Sequence, residues 1–203
     1  MRLHDLELSG NCYKARLLAS LLGVPLEIAP VDFMAGAHKA PEFLALNPLG
    51  EIPVLEDGDL VLRDSQAILV YLARGAGRED WLPTGAADLA RVVQWLSTAA
   101  NDVARGPNDA RLHDLFGYDL DVERARSHAA RVLAMLEAHL SGRDWLELGR
   151  PTVADVAVYP YVALAEQGGV ALAPYPAVLA WMGRIRALPG YVPMPGQYAG
   201  SLS

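Results

Sequence analysis

The sequence predicts an α/β first part followed by an all-α second part, and three observations carry that prediction. Residues 1–76 alternate short β-rich runs with helically spaced apolar residues in the order βαβαββα. Residues 75–85 (GAGREDWLPTG) form a Gly/Pro-rich connection, the composition of a boundary. Beyond it, the apolar residues recur at three- and four-residue spacing. The expected division is a domain over 1–76, a linker over 77–84 and a helical-bundle domain over 85–203.

Taken in order, residues 2–8 (RLHDLEL) read as a short strand, broken by Ser9-Gly10-Asn11. From Cys12 the pattern is helical, through Tyr13, Leu17, Leu18, Leu21 and Leu22, and Gly23 is a C-terminal stop. Leu26, Ile28 and Val31 mark a second strand, which makes residues 2–31 a βαβ unit with a right-handed crossover. A loop over 34–40 (MAGAHKA) precedes a short helix at 41–46. Ile52, Val54 and Leu55 then pair with Leu60, Val61 and Leu62 across Asp57-Gly58, a two-residue hairpin signal. Pro53 stands at the mouth of that strand, where a proline needs an edge, a first position or a bend. Asp64-Ser65 sits at the junction with a helix carrying Ala67, Ile68, Tyr71 and Leu72, with the Ser65 hydroxyl as its expected cap, and its N-terminus is a ready anion site.

In the second part, Leu89, Val92, Val93, Leu96, Ala100 and Val103 mark a helix ending near Gly106-Pro107. Residues 107–121 read as irregular or weakly helical. A helix from Val122 to Leu140 stops at Gly142. Pro151-Thr152 opens another, with Asp155 placed to complete a capping box, and Pro160 should bend it or loosen a turn. A last helix runs from Val178 to Leu188 and ends at Pro189-Gly190, leaving a surface tail from Tyr191. Trp81, Trp95, Trp145 and Trp181 read as core or interface residues.

Composition narrows the function. The 203 residues are 52% hydrophobic, enough for one large or two small cores. The net charge is −7, against the basic face that a nucleic-acid partner requires. Residues 1–80 hold seven Lys/Arg against twelve Asp/Glu, so Lys14 and Lys39 stand out in an acidic background. No run of about 18 apolar residues suggests a membrane span, and the acidic N-terminus lacks the apolar stretch of a secretory signal. One cysteine, Cys12, excludes an internal disulfide and suits a reducing, cytoplasmic setting. His4, His113, His128 and His139 lack metal-ligand spacing, so no metal site is expected.

The order βαβαββα with a proline opening the third strand resembles a thioredoxin-like domain. With its helical partner, the chain resembles the cytosolic glutathione S-transferase family. The motifs that carry the likeness are SGNCYKARLL (9–18), GAHKAPEFLALNPLGEIPVL (36–55), RDSQAILVYLA (63–73) and PTVADVAVYPYV (151–162). It is nearest the bacterial members and the serine-using theta, zeta and phi classes. The resemblance implies a cis Ile52-Pro53 bond and an Ile52 backbone that pairs with the cysteinyl part of glutathione. It implies that Ser65 binds the γ-glutamyl carboxylate and that Asp64 faces the ammonium, helped by an acid from a partner subunit. His38 and Lys39 match positions that contact the glycyl carboxylate.

For thiol activation the resemblance points to the window after the first strand. Ser9 matches the zeta-type serine when Lys14 takes the place of that class's arginine, whereas theta- and phi-type spacing lands on Gly10. Asn11 can donate through its amide, Cys12 can form a mixed disulfide, and Tyr13 reads as packed. Ser9, Asn11 and Cys12 therefore stay as alternatives. The implied activity is a detoxifying transfer of glutathione, as co-substrate, to a small hydrophobic electrophile. The electrophile's wall would draw on the loop after the first strand and on residues 95–118, in a C2 homodimer. A glutathione-dependent disulfide oxidoreductase or peroxidase using Cys12, or a non-catalytic glutathione-binding protein, are the rivals.

Overall fold

The computed structural model of the chain describes residues 1–200. Its first part is a four-stranded sheet in the order β2-β1-β3-β4. Strand β1 (Arg2–Asp5) pairs parallel with β2 (Glu27–Pro30) and antiparallel with β3 (Val54–Asp57), and β3 pairs antiparallel with β4 (Leu60–Leu62). Helix α1 (Gly10–Leu22) makes the crossover from β1 to β2. A 3₁₀ turn (Ala37–Lys39) and α2 (Pro41–Leu46) follow β2, and α3 (Ser65–Gly75) closes the unit. The central residues Leu3 and Leu55 are fully buried and face each other in register, so this pair seats the middle of the sheet under α1 and α3.

Four local expectations need correction. Strand β1 stops at Asp5, because Leu6 O accepts from Ser9 N–H and turns the chain toward α1. Strand β2 starts at Glu27 and ends at Pro30. The hairpin residues are Gly58-Asp59, since Asp57 pairs with Leu60, and Gly58 supplies the positive φ of 58°. Asp64, not Ser65, caps α3: one Asp64 oxygen accepts from both Gln66 N–H and Ala67 N–H, and Ser65 is the first helical residue.

The second part starts at α4 (Ala86–Thr98). The chain does not end its helix at Gly106-Pro107. It widens into π-helical turns over Ala99–Asn108 and runs on as α5 (Asp109–Phe116). A proline is costly where it removes an i→i−4 bond, and a π turn has already given that ladder up. Of residues 107–121, expected to be irregular or weakly helical, the part up to Phe116 is helical and the rest is not. Helices α6 (Val122–Leu140), α7 (Val153–Ala163) and α8 (Pro176–Arg186) complete the bundle, with a 3₁₀ turn at Ala165–Gly168. The described part of the tail after α8 lies largely on the surface, as expected, and is tied down there. Tyr13 Oη donates to Val192 O, Tyr198 N–H to Ala163 O, and Met194 is buried; residues 201–203 lie outside the described residues.

Every residue of α7 is buried, which makes it the axis of the molecule. It continues only three residues past Pro160. Its start is held by Asp155, a buried carboxylate. Asp155 accepts from Thr152 N–H (2.9 Å), Thr152 Oγ1 (3.2 Å), Leu146 N–H (3.1 Å) and Trp181 Nε1 (2.9 Å). Burial raises its pKa, and these four donors act against that rise. The four bonds join α7 to the loop before it and to α8, with Thr152 Oγ1 accepting from Ala154 N–H. Trp181 is fully buried, Trp81 and Trp95 are buried, and Trp145 packs on the same core. Replacing Asp155 with Ala strands the buried Leu146 and Trp181 donors and should cost on the order of 3 kcal/mol, against about 1 kcal/mol for Thr152→Ala. Equilibrium unfolding in urea measures both, and an Asp155→Ala loss no larger than that of Thr152→Ala would refute the hub.

Candidate functional site

A cleft of about 540 Å³ opens between the two parts. The turn after β1 supplies Leu6, Leu8 and Ser9, and the first turn of α1 supplies Asn11. The loops on either side of α2 supply Phe33, His38, Lys39, Gly50, Glu51 and Ile52. The opposite wall comes from Asn108, from Arg111, Leu112 and Phe116 of α5, from Tyr118, and from Tyr161 of α7.

Ser9 caps α1, its Oγ accepting from Cys12 N–H at 3.3 Å. That bond uses a lone pair and leaves the hydroxyl proton free to be donated into the cleft. The positive end of the helix lies beside it. Asn11 Oδ1 takes two donors, Lys14 Nζ at 2.9 Å and Ser65 Oγ at 3.4 Å. Two donors on one atom identify it as the oxygen, so the Asn11 NH₂ is the end left free.

Lys14 is fully buried, with Nζ 5.3 Å from the Tyr161 ring centre. Burial pulls its pKa down to about 7, with the Asp64 carboxylate acting in the opposite direction. Gly10 is required at the start of α1, because a Cβ there would stand 2.5–3.0 Å from atoms of the Tyr161 ring.

On the facing side, the Ile52-Pro53 bond is cis, as the family resemblance implies. The β1–β3 pairing begins at Val54, so the Ile52 amide and carbonyl stand outside the sheet ladder. Asn47 holds the loop before them, donating to Glu51 O at 2.8 Å and accepting from Leu49 N–H. Lys39 Nζ donates to Leu49 O (3.0 Å) and Gly50 O (2.9 Å), which sets its charge at the rim. His38 stacks flat on Phe33, ring centres 3.8 Å apart, with a buried Nδ1 that has no hydrogen-bond partner. Burial, and then the Lys39 charge, lower its pKa below the ordinary histidine value, so at neutral pH it is an uncharged ring.

The structure therefore brings Ser9, Asn11, His38, Lys39 and Ile52 to one cleft, and joins Ser65 to it through Asn11. Pro53 and Asp64 do not line it. Cys12 does not either: it is fully buried, and burial pushes its thiol up to about 12, so it carries no reactive thiolate near neutral pH. Among the described residues no group of His, Cys, Asp and Glu could hold a metal ion. Among the described residues no helix is long and apolar enough to cross a membrane. The cleft lining includes residues of the β1 turn and of the range 95–118, but its members Arg111, Leu112, Phe116 and Tyr118, with Phe33 and Tyr161, were not legible individually. Arg111 lies in an ordinary amphipathic run, DARLHDLF, with nothing in its spacing to set it apart.

Lys14 links this site to stability. Its folded pKa near 7 lies below the ordinary 10.5, so above pH 7 the unfolded chain binds the extra proton. Its contribution to stability must rise with pH from about 7 upward. Cys12, whose folded pKa is raised, works the other way above its ordinary value of 9.0, which makes pH 7–9 the window for Lys14 alone of the two. Denaturation at pH 7 and pH 9 should show Lys14→Met losing part of the upward slope of the parent chain; equal slopes would remove the assignment.

Residues 1–74 match the family described as "Glutathione S-transferase, N-terminal domain", and residues 121–184 match "Glutathione S-transferase, C-terminal domain". "Glutathione S-transferase 3" of Zea mays is 36% identical over 207 residues, covering 94% of this chain and 91% of that protein. Among solved structures, a glutathione S-transferase from Pseudomonas fluorescens superposes with a TM-score of 0.90 at 34% identity, over 96% of this chain and 98% of that one. A glutathione transferase family member from the same organism, solved with two glutathione molecules bound, superposes with a TM-score of 0.80 at 26% identity, over 93% and 89%.

Proposed function

This chain belongs to the cytosolic glutathione S-transferase family and is a glutathione transferase, and we propose that the interdomain cleft holds glutathione with its sulfur at Ser9 and Asn11. The observation that carries this reading is that Ser9 and Asn11 both line the cleft, each with a donor left free by its other hydrogen bonds. The Ser9 hydroxyl keeps its proton, the Asn11 amide is turned by Lys14 and Ser65, and the α1 N-terminus lies beneath both. Donors aimed at sulfur favour thiolate over thiol and so lower the thiol pKa. The Ile52 amide and carbonyl pair with the cysteinyl unit as an added strand would. Ser65 and the start of α3 take the γ-glutamyl carboxylate, and the Asp64 oxygen not used in capping faces the ammonium. Lys39 serves the glycyl carboxylate, and His38 contributes as a neutral ring.

The thiolate then attacks a small electrophile lying against Leu112, Phe116 and Tyr118. A carbon–sulfur bond forms as the leaving group departs with its electrons. Conjugation of this kind is a detoxification step, and we place it in the cytoplasm. A homodimer suits the exposed apolar side chains Leu60 and Val61 on β4 and Val93 on α4. The domain division falls in the connection over 77–84, between the end of α3 at Gly75 and the start of α4 at Ala86.

The assignment separates binding from activation. Ser65→Ala should raise the KM for glutathione several-fold with kcat little changed, while Ser9→Ala should lower kcat by about 10²-fold and move the lower limb of the pH–rate profile upward. Steady-state kinetics with 1-chloro-2,4-dinitrobenzene reads both; an unchanged KM in Ser65→Ala removes the γ-glutamyl site. Cys12→Ser should keep full activity, and mass spectrometry after glutathione disulfide treatment should find no adduct on Cys12. An adduct with activity lost in the variant would instead establish the disulfide oxidoreductase.

A further inference from the structure

Arg111 is a buried cation in the cleft wall that the reaction outlined above does not use. It is 1% exposed, yet it lines the electrophile's side of the cavity. Its Nε donates to Gln167 Oε1 at 2.6 Å, and its Nη2 donates to Leu8 O at 2.9 Å. Both acceptors are neutral. Among the described residues no Asp or Glu lies within ion-pair distance of it, in a chain with 24 acidic residues. Burial lowers its pKa, but a guanidinium stays protonated in a protein.

An unpaired buried cation is costly, and the site is built to hold it in place. The guanidinium carbon sits 5.2 Å from the Phe116 ring centre. The turn carrying Gln167 is pressed against α5 at Gly168, where a Cβ would come within 2.6 Å of Arg111 N. The charge is therefore already stripped of water and fixed before a ligand arrives. A ligand anion brought to it meets little further cost on the protein side. Leu112 and Tyr118 beside it suit an apolar body.

Resting on the transferase reading, we propose that Arg111 makes this half of the cleft an anion-accepting subsite, so that the preferred electrophiles are apolar molecules carrying a carboxylate. Arg111 is then the residue that sets specificity between acid and neutral forms of one electrophile. Its bond to Leu8 O also braces the turn before Ser9, so loss of activity alone does not distinguish the two roles.

The test is a ratio. 4-Chloro-3-nitrobenzoate and its methyl ester undergo the same displacement: thiolate adds at the carbon bearing chlorine, the C–S bond forms, the C–Cl bond breaks, and chloride leaves. Each kcat/KM is divided by the uncatalysed rate constant with glutathione, and the acid-to-ester ratio is taken. A charge-assisted contact should favour the acid by about 10-fold or more in the parent protein. Arg111→Met should abolish most of that preference, and Arg111→Lys should retain part of it. A merely bracing role lowers both rates together and leaves the ratio untouched. An ester preference in the parent protein, or an unchanged ratio in Arg111→Met, overturns the proposal. If the variants fail to fold, inhibition of the parent protein by the two conjugated products decides it: the acid must bind more tightly. Absence of turnover with these compounds and with 1-chloro-2,4-dinitrobenzene overturns the transferase reading itself, and the subsite with it.

Discussion

The close packing of α1 on α7 is the constraint on which the rest of the molecule depends. Helix α7 is buried on every side, and Tyr161 projects from it against Gly10, the first residue of α1. No side chain fits at Gly10, so the N-terminus of α1 comes within contact of the helical part, where the cleft forms. That contact decides where Ser9 and Asn11 stand relative to α5. The hydrophobic core runs unbroken from Leu3 and Leu55 of the sheet through α7 to Trp181, so the two parts share one interior. The four hydrogen bonds on Asp155 fix the start of α7 in that interior.

Onto this frame the protein places three polar side chains that none of the apolar packing requires. Lys14 and Ser65 come from different helices and converge on Asn11 Oδ1. The arrangement turns the Asn11 amide toward the cleft and places a basic group beneath it. Burying Lys14 costs stability, and its depressed pKa is the measure of that cost. A buried lysine on one side and a buried arginine across the cleft both bring basic groups to it. An acidic chain with net charge −7 thus surrounds a locally positive cleft.

The order of strands and helices was legible because periodicity and punctuation survive in any environment: Gly23 as a stop, the turn glycine at 58, and Thr152 with Asp155 as a cap. The places where the reading failed share a cause. Gly106-Pro107 is a strong stop signal in isolation, but burial within the bundle holds the chain in widened turns through it. Ser65 looked like the cap because serine caps helices well, yet Asp64 accepts both amides and frees Ser65 to reach Asn11. Cys12, at a helix start, had the position of a reactive thiol; full burial makes it part of the core.

By itself, the sequence determined the two-part architecture and the hairpin with its proline, because these follow from local spacing and residue chemistry; the window of residues 9–13 came from the family resemblance. Only the tertiary structure decided which members of that window face the cleft. It alone brought Arg111, Tyr161 and Phe33 to the same cavity from segments far apart in the chain. The reason is that a side chain's exposure and charge state are set by what packs around it, and those neighbours come from elements that no local pattern relates to one another.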